Sequence, residues 1–111
     1  MSHQLDIRAS REAERSVVRL SGEIDLRTSP TLHARLLELV EARPKQLVID
    51  LAGVSYVDSS GVGTLVDVKR QMEKRGGRVT LVGLQERVRS VLEITRLDTF
   101  FTIKASVDEA D

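Results

Sequence analysis

A mixed, mostly parallel α/β sheet is the fold class this sequence predicts, and three observations carry it. Short apolar runs alternate with stretches of helical periodicity, in the order β-β-α-β-α-β-α-β followed by a possible terminal helix. The run Leu47, Val48, Ile49 and Leu51 is nearly unbroken, as in a strand buried on both faces of a parallel sheet. The first two strands have no helix between them, so they make an antiparallel hairpin at one edge, while helices between the later strands impose right-handed crossovers.

In the first strand Leu5, Ile7 and Ala9 alternate with Asp6 and Arg8, and residues 10–15 read as a polar turn. The second strand covers 16–21, with Val18 and Leu20 on one face, and Gly22-Glu23-Ile24-Asp25-Leu26 leads out of it. Thr28, Ser29 and Pro30 announce a helix with proline in its first turn, where a missing N–H costs nothing. Leu32, Leu36, Leu37, Leu39 and Val40 form its apolar face, and Pro44 ends it. The third strand is expected over 47–51. Asp50, Gly53 and Ser55 then supply loop chemistry before Tyr56 and Val57 turn back toward the core.

Beyond Asp58-Ser59-Ser60-Gly61-Val62-Gly63, the spacing of Val62, Leu65, Val66, Val68 and Met72 predicts an amphipathic helix that Gly76 and Gly77 stop. A fourth strand holds Val79, Leu81 and Val82. A helix over 86–97 turns Val88, Val91, Leu92 and Leu97 inward, and 100–103 forms a last strand. Ser106-Val107-Asp108-Glu109 has the form of a capping box, so a final helix of one turn, or a longer one cut short, is expected.

The 111 residues suffice for one domain, 1–111, with a single aliphatic core. With zero formal charge, one tyrosine, two phenylalanines and no tryptophan, the chain offers neither a basic surface nor an aromatic set for stacking on bases, so no nucleic-acid partner is expected. The lack of cysteine removes disulfides, thiolate catalysis and cysteine metal sites. No apolar stretch reaches the ~20 residues of a membrane span, and the N-terminus lacks the basic and apolar segments of a secretion signal. A cytoplasmic location with no membrane partner is the expectation. Lys69, Arg70, Lys74 and Arg75 fall late in the central helix, suit the negative end of its dipole, and read as a solvated face.

Enzyme readings fare poorly. A serine hydrolase needs a base near Ser59 or Ser60, yet the histidines are His3, by the N-terminus, where fraying is expected, and His33, in the first helix; no Gly-x-Ser-x-Gly elbow surrounds either serine. Gly61-x-Gly63 has Val66 where a dinucleotide fingerprint needs its third glycine, and no P-loop is present. Asp25, Asp50, Asp58 and Asp67 are ordinary loop or helix carboxylates before they are metal ligands, although the first three are expected to share a face. No cofactor, metal or catalytic residue is assigned.

The turn at 58–63 is different. A helix starting there leaves N–H groups without partners, Asp58 and Ser59 are both good caps, and the unpaired donors with the helix dipole favour a phosphate. On local chemistry alone such a turn is more often just a cap.

Taken as a set, the residues resemble the anti-sigma factor antagonists, the single-domain members of the STAS family. The resemblance rests on Gly22-Glu23-Ile24-Asp25, Val48-Ile49-Asp50-Leu51, the turn from Val54 through Asp58-Ser59-Ser60-Gly61-Val62-Gly63, and the Gly76-Gly77 pair, and spans about residues 5–104. It implies a small α/β domain switched by phosphorylation of Ser59, the serine directly after the aspartate. The kinase is an anti-sigma factor with ATP-dependent serine kinase activity, and a metal-dependent serine phosphatase reverses the change. Unphosphorylated antagonist binds the anti-sigma factor and frees the sigma factor. The resemblance places Glu23, Asp25, Asp58, Ser60, Gly61 and Thr64 around the acceptor in partner-binding or supporting roles, with Thr64 and Asp67 on the exposed helix face. A monomer or weak dimer is expected. The runner-up is a STAS interaction subunit of a lipid-transport or stress-sensing complex, not regulated by this serine; an anion or nucleotide sensor using the same turn comes next.

Overall fold

The computed structural model describes residues 4–110, and His3 lies outside the described residues. Along the chain run β1 (Leu5–Glu12), β2 (Arg15–Ile24), α1 (Ser29–Glu41), β3 (Gln46–Val57), α2 (Ser59–Lys74), β4 (Arg78–Val82), α3 (Glu86–Ile94), β5 (Thr102–Lys104) and a 3-10 turn at Val107–Glu109. The strands form one sheet in the order β1-β2-β3-β4-β5. β1 is antiparallel to β2, and every later pairing is parallel, as the hairpin and crossover arguments required.

Strand alternation places the core. Val18, Leu20 and Ile24 of β2, Leu47, Ile49 and Leu51 of β3, and Val79 and Leu81 of β4 point to one face. There they meet Leu32, Leu36 and Val40 of α1, Leu65, Val68 and Met72 of α2, and Val88 and Leu92 of α3, residues at the three- and four-residue spacing that makes one helical stripe. The opposite face carries Val17, Val48 and Val82 under Val107 and Ala110 of the C-terminal turn. The buried Gln46 side chain fastens that turn, donating to Thr80 Oγ1 at 3.0 Å and to the Ala110 carbonyl.

Several boundaries differ from the sequence expectation. β1 and β2 approach to within two residues, Ala13 and Glu14, where a six-residue turn was expected. β3 does not stop at Leu51 but continues to Val57, because register shifts at Arg19/Ser21 and Gly22/Glu23 absorb extra residues and keep β2 and β3 paired as far as Ile24 and Val57. The bulges spread the buried positions to Leu51, Val54 and Val57, which hides the strand from a period-two search. Gly53 permits the close approach, since a Cβ there would lie 2.9 Å from the Leu20 carbonyl oxygen. α3 ends at Ile94 rather than 97, closed by bonds from Arg96 N to Glu93 O (3.0 Å) and Leu97 N to Leu92 O (2.7 Å), with Arg96 at φ 60° in the left-handed conformation usually given to glycine. α1 likewise ends at Glu41, three residues before Pro44. The last strand is shorter and later than 100–103. The terminal capping box does not form: Ser106 precedes a single 3-10 turn and makes no side-chain cap bond.

The four cations of α2 are not one solvated face. Lys69 is only 13 % exposed, its Nζ 2.5 Å from Glu73 and 4.3 Å above the Phe100 ring, while Arg75 donates to the Gln71 carbonyl and to Glu41 of α1. Arg70 and Lys74 do face solvent.

Candidate functional site

β3 delivers the site. Its last backbone bond, from Asp58 N to Ile24 O at 3.1 Å, sets Asp58 beside the end of β2 before the chain turns into α2. Asp58 is the N-cap: its Oδ1 accepts from Ser60 N (2.9 Å), Gly61 N (3.2 Å) and the Ser60 hydroxyl (2.6 Å). Desolvation pushes the Asp58 carboxyl up, but the Ser60 hydroxyl, the Gly61 and Ser60 N–H groups and the Leu26 N–H together outweigh it and hold the carboxyl below its ordinary value.

The expectation that Ser59 could cap, and that unpaired N–H groups wait for a phosphate, is corrected here. Asp58 alone caps, and it already occupies the Ser60 and Gly61 donors. What remains for an anion at residue 59 is its own N–H and the helix dipole, set against a carboxylate next door.

The two serines divide the work. Ser60 Oγ lies 2.6 Å from Asp58 Oδ1 and 2.9 Å from Ser29 Oγ, and Ser29 Oγ lies 2.7 Å from the Asp25 carbonyl oxygen. The two hydroxyl protons can fill only two of those three contacts at a time, and both are committed inside the cluster. Ser59 is exposed, and among the described residues nothing hydrogen-bonds its hydroxyl. Of the two adjacent nucleophiles, one is tied down and one faces water.

The loop between β2 and α1 stands against this turn. Asp25 Oδ1 accepts from Arg27 N (2.9 Å) and Thr28 N (3.1 Å); Thr28 Oγ1 accepts from Asp25 N (2.9 Å) and donates to the Glu23 carbonyl (2.8 Å). These local bonds make a rigid Asx-type turn. The Ser29–Ser60 contact joins it to the start of α2. From the sequence Ser29 reads only as a helix-start residue; its pairing with Ser60 comes from the parallel packing of α1 and α2, which spacing along one chain does not reveal.

The structure therefore brings Asp25, Asp58, Ser59 and Ser60 together, with Glu23 half-buried at the end of β2. Gly61 sits against the core: a Cβ there would lie 2.5 Å from Ile24 Cγ2 and 2.7 Å from Val57 Cγ2. Thr64 is corrected from the exposed helix face to the interior, being 7 % exposed one turn further along α2. Asp67 is half-exposed, with its Oδ2 2.6 Å from His33 Nε2 of α1; that bond, against desolvation and helped by Gln71 and Lys74, holds its carboxyl below the ordinary value. His33 thus braces α1 on α2 and is no base for either serine. Asp50 does not share a face with Asp25 and Asp58: its Oδ1 accepts from Ala52 N and its Oδ2 lies 3.7 Å from Arg19, in a charged groove with Asp6 and Arg8. A separate cleft of about 560 Å³, lined by Glu14, Arg15, Lys45 and Arg78, opens at the starts of the strands, the opposite end of the sheet from Ser59. No helix of the described residues is long and apolar enough to cross a membrane.

Known proteins share this sequence pattern and fold. The anti-sigma-B factor antagonist of Bacillus subtilis is 38% identical over 88 residues, covering 79% of this chain and 80% of the relative. That of Listeria monocytogenes is 33% identical over 94 residues, covering 85% and 82%. Among solved structures, an anti-sigma factor antagonist from Mycobacterium paratuberculosis superposes with a TM-score of 0.90 at 29% identity, covering 99% of this chain and 93% of its own. The anti-sigma factor antagonist SpoIIAA in its unphosphorylated form gives 0.81 at 25%, covering 95% and 92%. The STAS domain model matches residues 4–110, and with that span of agreement the chain belongs to the STAS domain family.

Proposed function

We propose that this chain is an anti-sigma factor antagonist that works as a single STAS domain in the cytoplasm, and that Ser59 is its phosphoacceptor. The observation that carries the reading is the contrast at the start of α2: the Ser59 hydroxyl is exposed and unengaged, while the Ser60 hydroxyl is bound to Asp58 and Ser29. The names of the relatives support the same role. The kinase is the anti-sigma factor itself. Ser59 Oγ attacks the γ-phosphorus of ATP, the bond to the β,γ-bridging oxygen breaks, ADP leaves, and the hydroxyl proton passes to a base on the kinase. A metal-dependent serine phosphatase returns the free serine. Asp25, Glu23, Asp58 and Ser60 hold the acceptor loop in shape, and the antagonist contributes no catalytic residue or cofactor.

Phosphate at residue 59 places nearly two negative charges next to the Asp58 carboxylate, whose capping bonds leave no N–H of Ser60 or Gly61 to neutralise them. The charge therefore projects toward the partner. A loss there on the order of 2 to 4 kcal/mol weakens binding by roughly 30- to 1000-fold, and the sigma factor is recaptured. The test is the affinity of an anti-sigma factor kinase for the unmodified protein and for Ser59→Asp. Binding weakened at least tenfold supports the reading; equal affinity contradicts it.

A further inference from the structure

We infer that Leu26 is the apolar anchor by which the anti-sigma factor grips this protein, docking in an apolar pocket beside the kinase's ATP site. The inference rests on the acceptor reading of Ser59. Among the described residues the large apolar side chains standing in solvent are Leu26 at 75 %, Tyr56 at 39 % and Ile94 at 81 %. Leu26 and Tyr56 belong to the acceptor end of the sheet: Tyr56 lies three residues before Ser59 and pairs with Glu23, and Leu26 follows Asp25 in the adjoining turn.

A single exposed leucine needs no explanation by itself. Its mounting here is what sets it apart. The Asp25 carboxylate holds the N–H groups of Arg27 and Thr28, Thr28 Oγ1 ties residue 28 back to the Asp25 N–H and the Glu23 carbonyl, and Ser29, next along, meets the Ser60 hydroxyl beside Ser59. The turn therefore holds an apolar side chain outward on a backbone with little freedom to lose. An anchor of that kind gives affinity without an ordering cost on docking. Because the Ser29–Ser60 contact and the bond from Asp58 N to Ile24 O tie this turn to the acceptor turn, a partner that seats Leu26 also brings Ser59 to one place. That place must be the γ-phosphate, which puts the pocket within a side chain's reach of the nucleotide.

The experiment is steady-state phosphorylation by the anti-sigma factor kinase of wild type, Leu26→Ser, Leu26→Met and the control Ile94→Ser, with melting curves for each. Burial of one leucine sets the size of the effect: KM for Leu26→Ser should rise about tenfold or more, with kcat within about twofold and an unchanged melting temperature. Leu26→Met should restore KM, and Ile94→Ser should leave it alone. A wild-type KM in Leu26→Ser overturns the inference, as does a change confined to self-association, which would make a second copy of the chain the occupant. If the wild type is not phosphorylated at all, the acceptor reading fails separately, and the anchor is judged by equilibrium binding of the same anti-sigma factor: an unchanged Kd for Leu26→Ser overturns it.

Discussion

Asp58 carries more of this site than a cap usually does. Its carboxylate joins the Ser60 and Gly61 N–H groups of the first turn of α2 to the Ser60 hydroxyl, and these bonds hold its pKa below the ordinary 3.8. Above that value the ionised group stabilises the fold in full; as pH falls further the unfolded chain takes up the proton first, and the contribution is gone once the folded pKa is passed. Asparagine still accepts at a cap but brings no charge. Asp58→Asn should therefore cost about 0.5–1 kcal/mol at neutral pH and flatten the acid side of the stability profile below pH 3.8, measured by urea unfolding across pH. An unchanged acid limb would mean that another carboxylate carries it. Two glycines a turn-half apart make a sharper contrast. A methyl at Gly61 collides with branched side chains of Ile24 and Val57, whereas one at Gly63 meets nothing within 4 Å. Gly61→Ala should destabilise by about 1–3 kcal/mol through overpacking, and Gly63→Ala should stabilise by about 0.5–1 kcal/mol through helix propensity. Thermal melts of the two variants should shift in opposite directions.

At the scale of elements, most of the layout was legible, and the misses share a cause. Val62, Leu65, Val68 and Met72 announced α2 because a helix with one buried stripe writes its period into the sequence. Its end was equally plain: Gly76 at φ 79° and Gly77 close it with bonds to Glu73 and Met72. The same closure at the end of α3 uses Arg96, and a residue type that does not mark the left-handed conformation left that boundary invisible. β3 was cut short in the reading because its bulges break the alternation that identifies a strand. Within the site, Asp58-Ser59-Ser60-Gly61 was legible as a helix start. The assignment of one serine to the network and the other to solvent depended on Ser29, brought in by α1. Thr64 was misplaced for a related reason: a small polar residue at a buried helical position looks, in sequence, like part of the wet face.

In the whole molecule, scaffold and signal are separate. The three helices cover one face of the sheet, the C-terminal turn covers Val17, Val48 and Val82 on the other, and Ser59 stands outside both clusters. Charge added there should leave the fold intact, so Ser59→Asp should melt within about 3 °C of wild type while losing the anti-sigma factor. The most direct measurement is to incubate wild type and Ser59→Ala with an anti-sigma factor kinase and ATP and map the modified peptides by mass spectrometry. The account predicts one phosphate on the wild type, at Ser59, and none on Ser59→Ala although Ser60 is still present. Phosphate on Ser60, or undiminished labelling of Ser59→Ala, would contradict it.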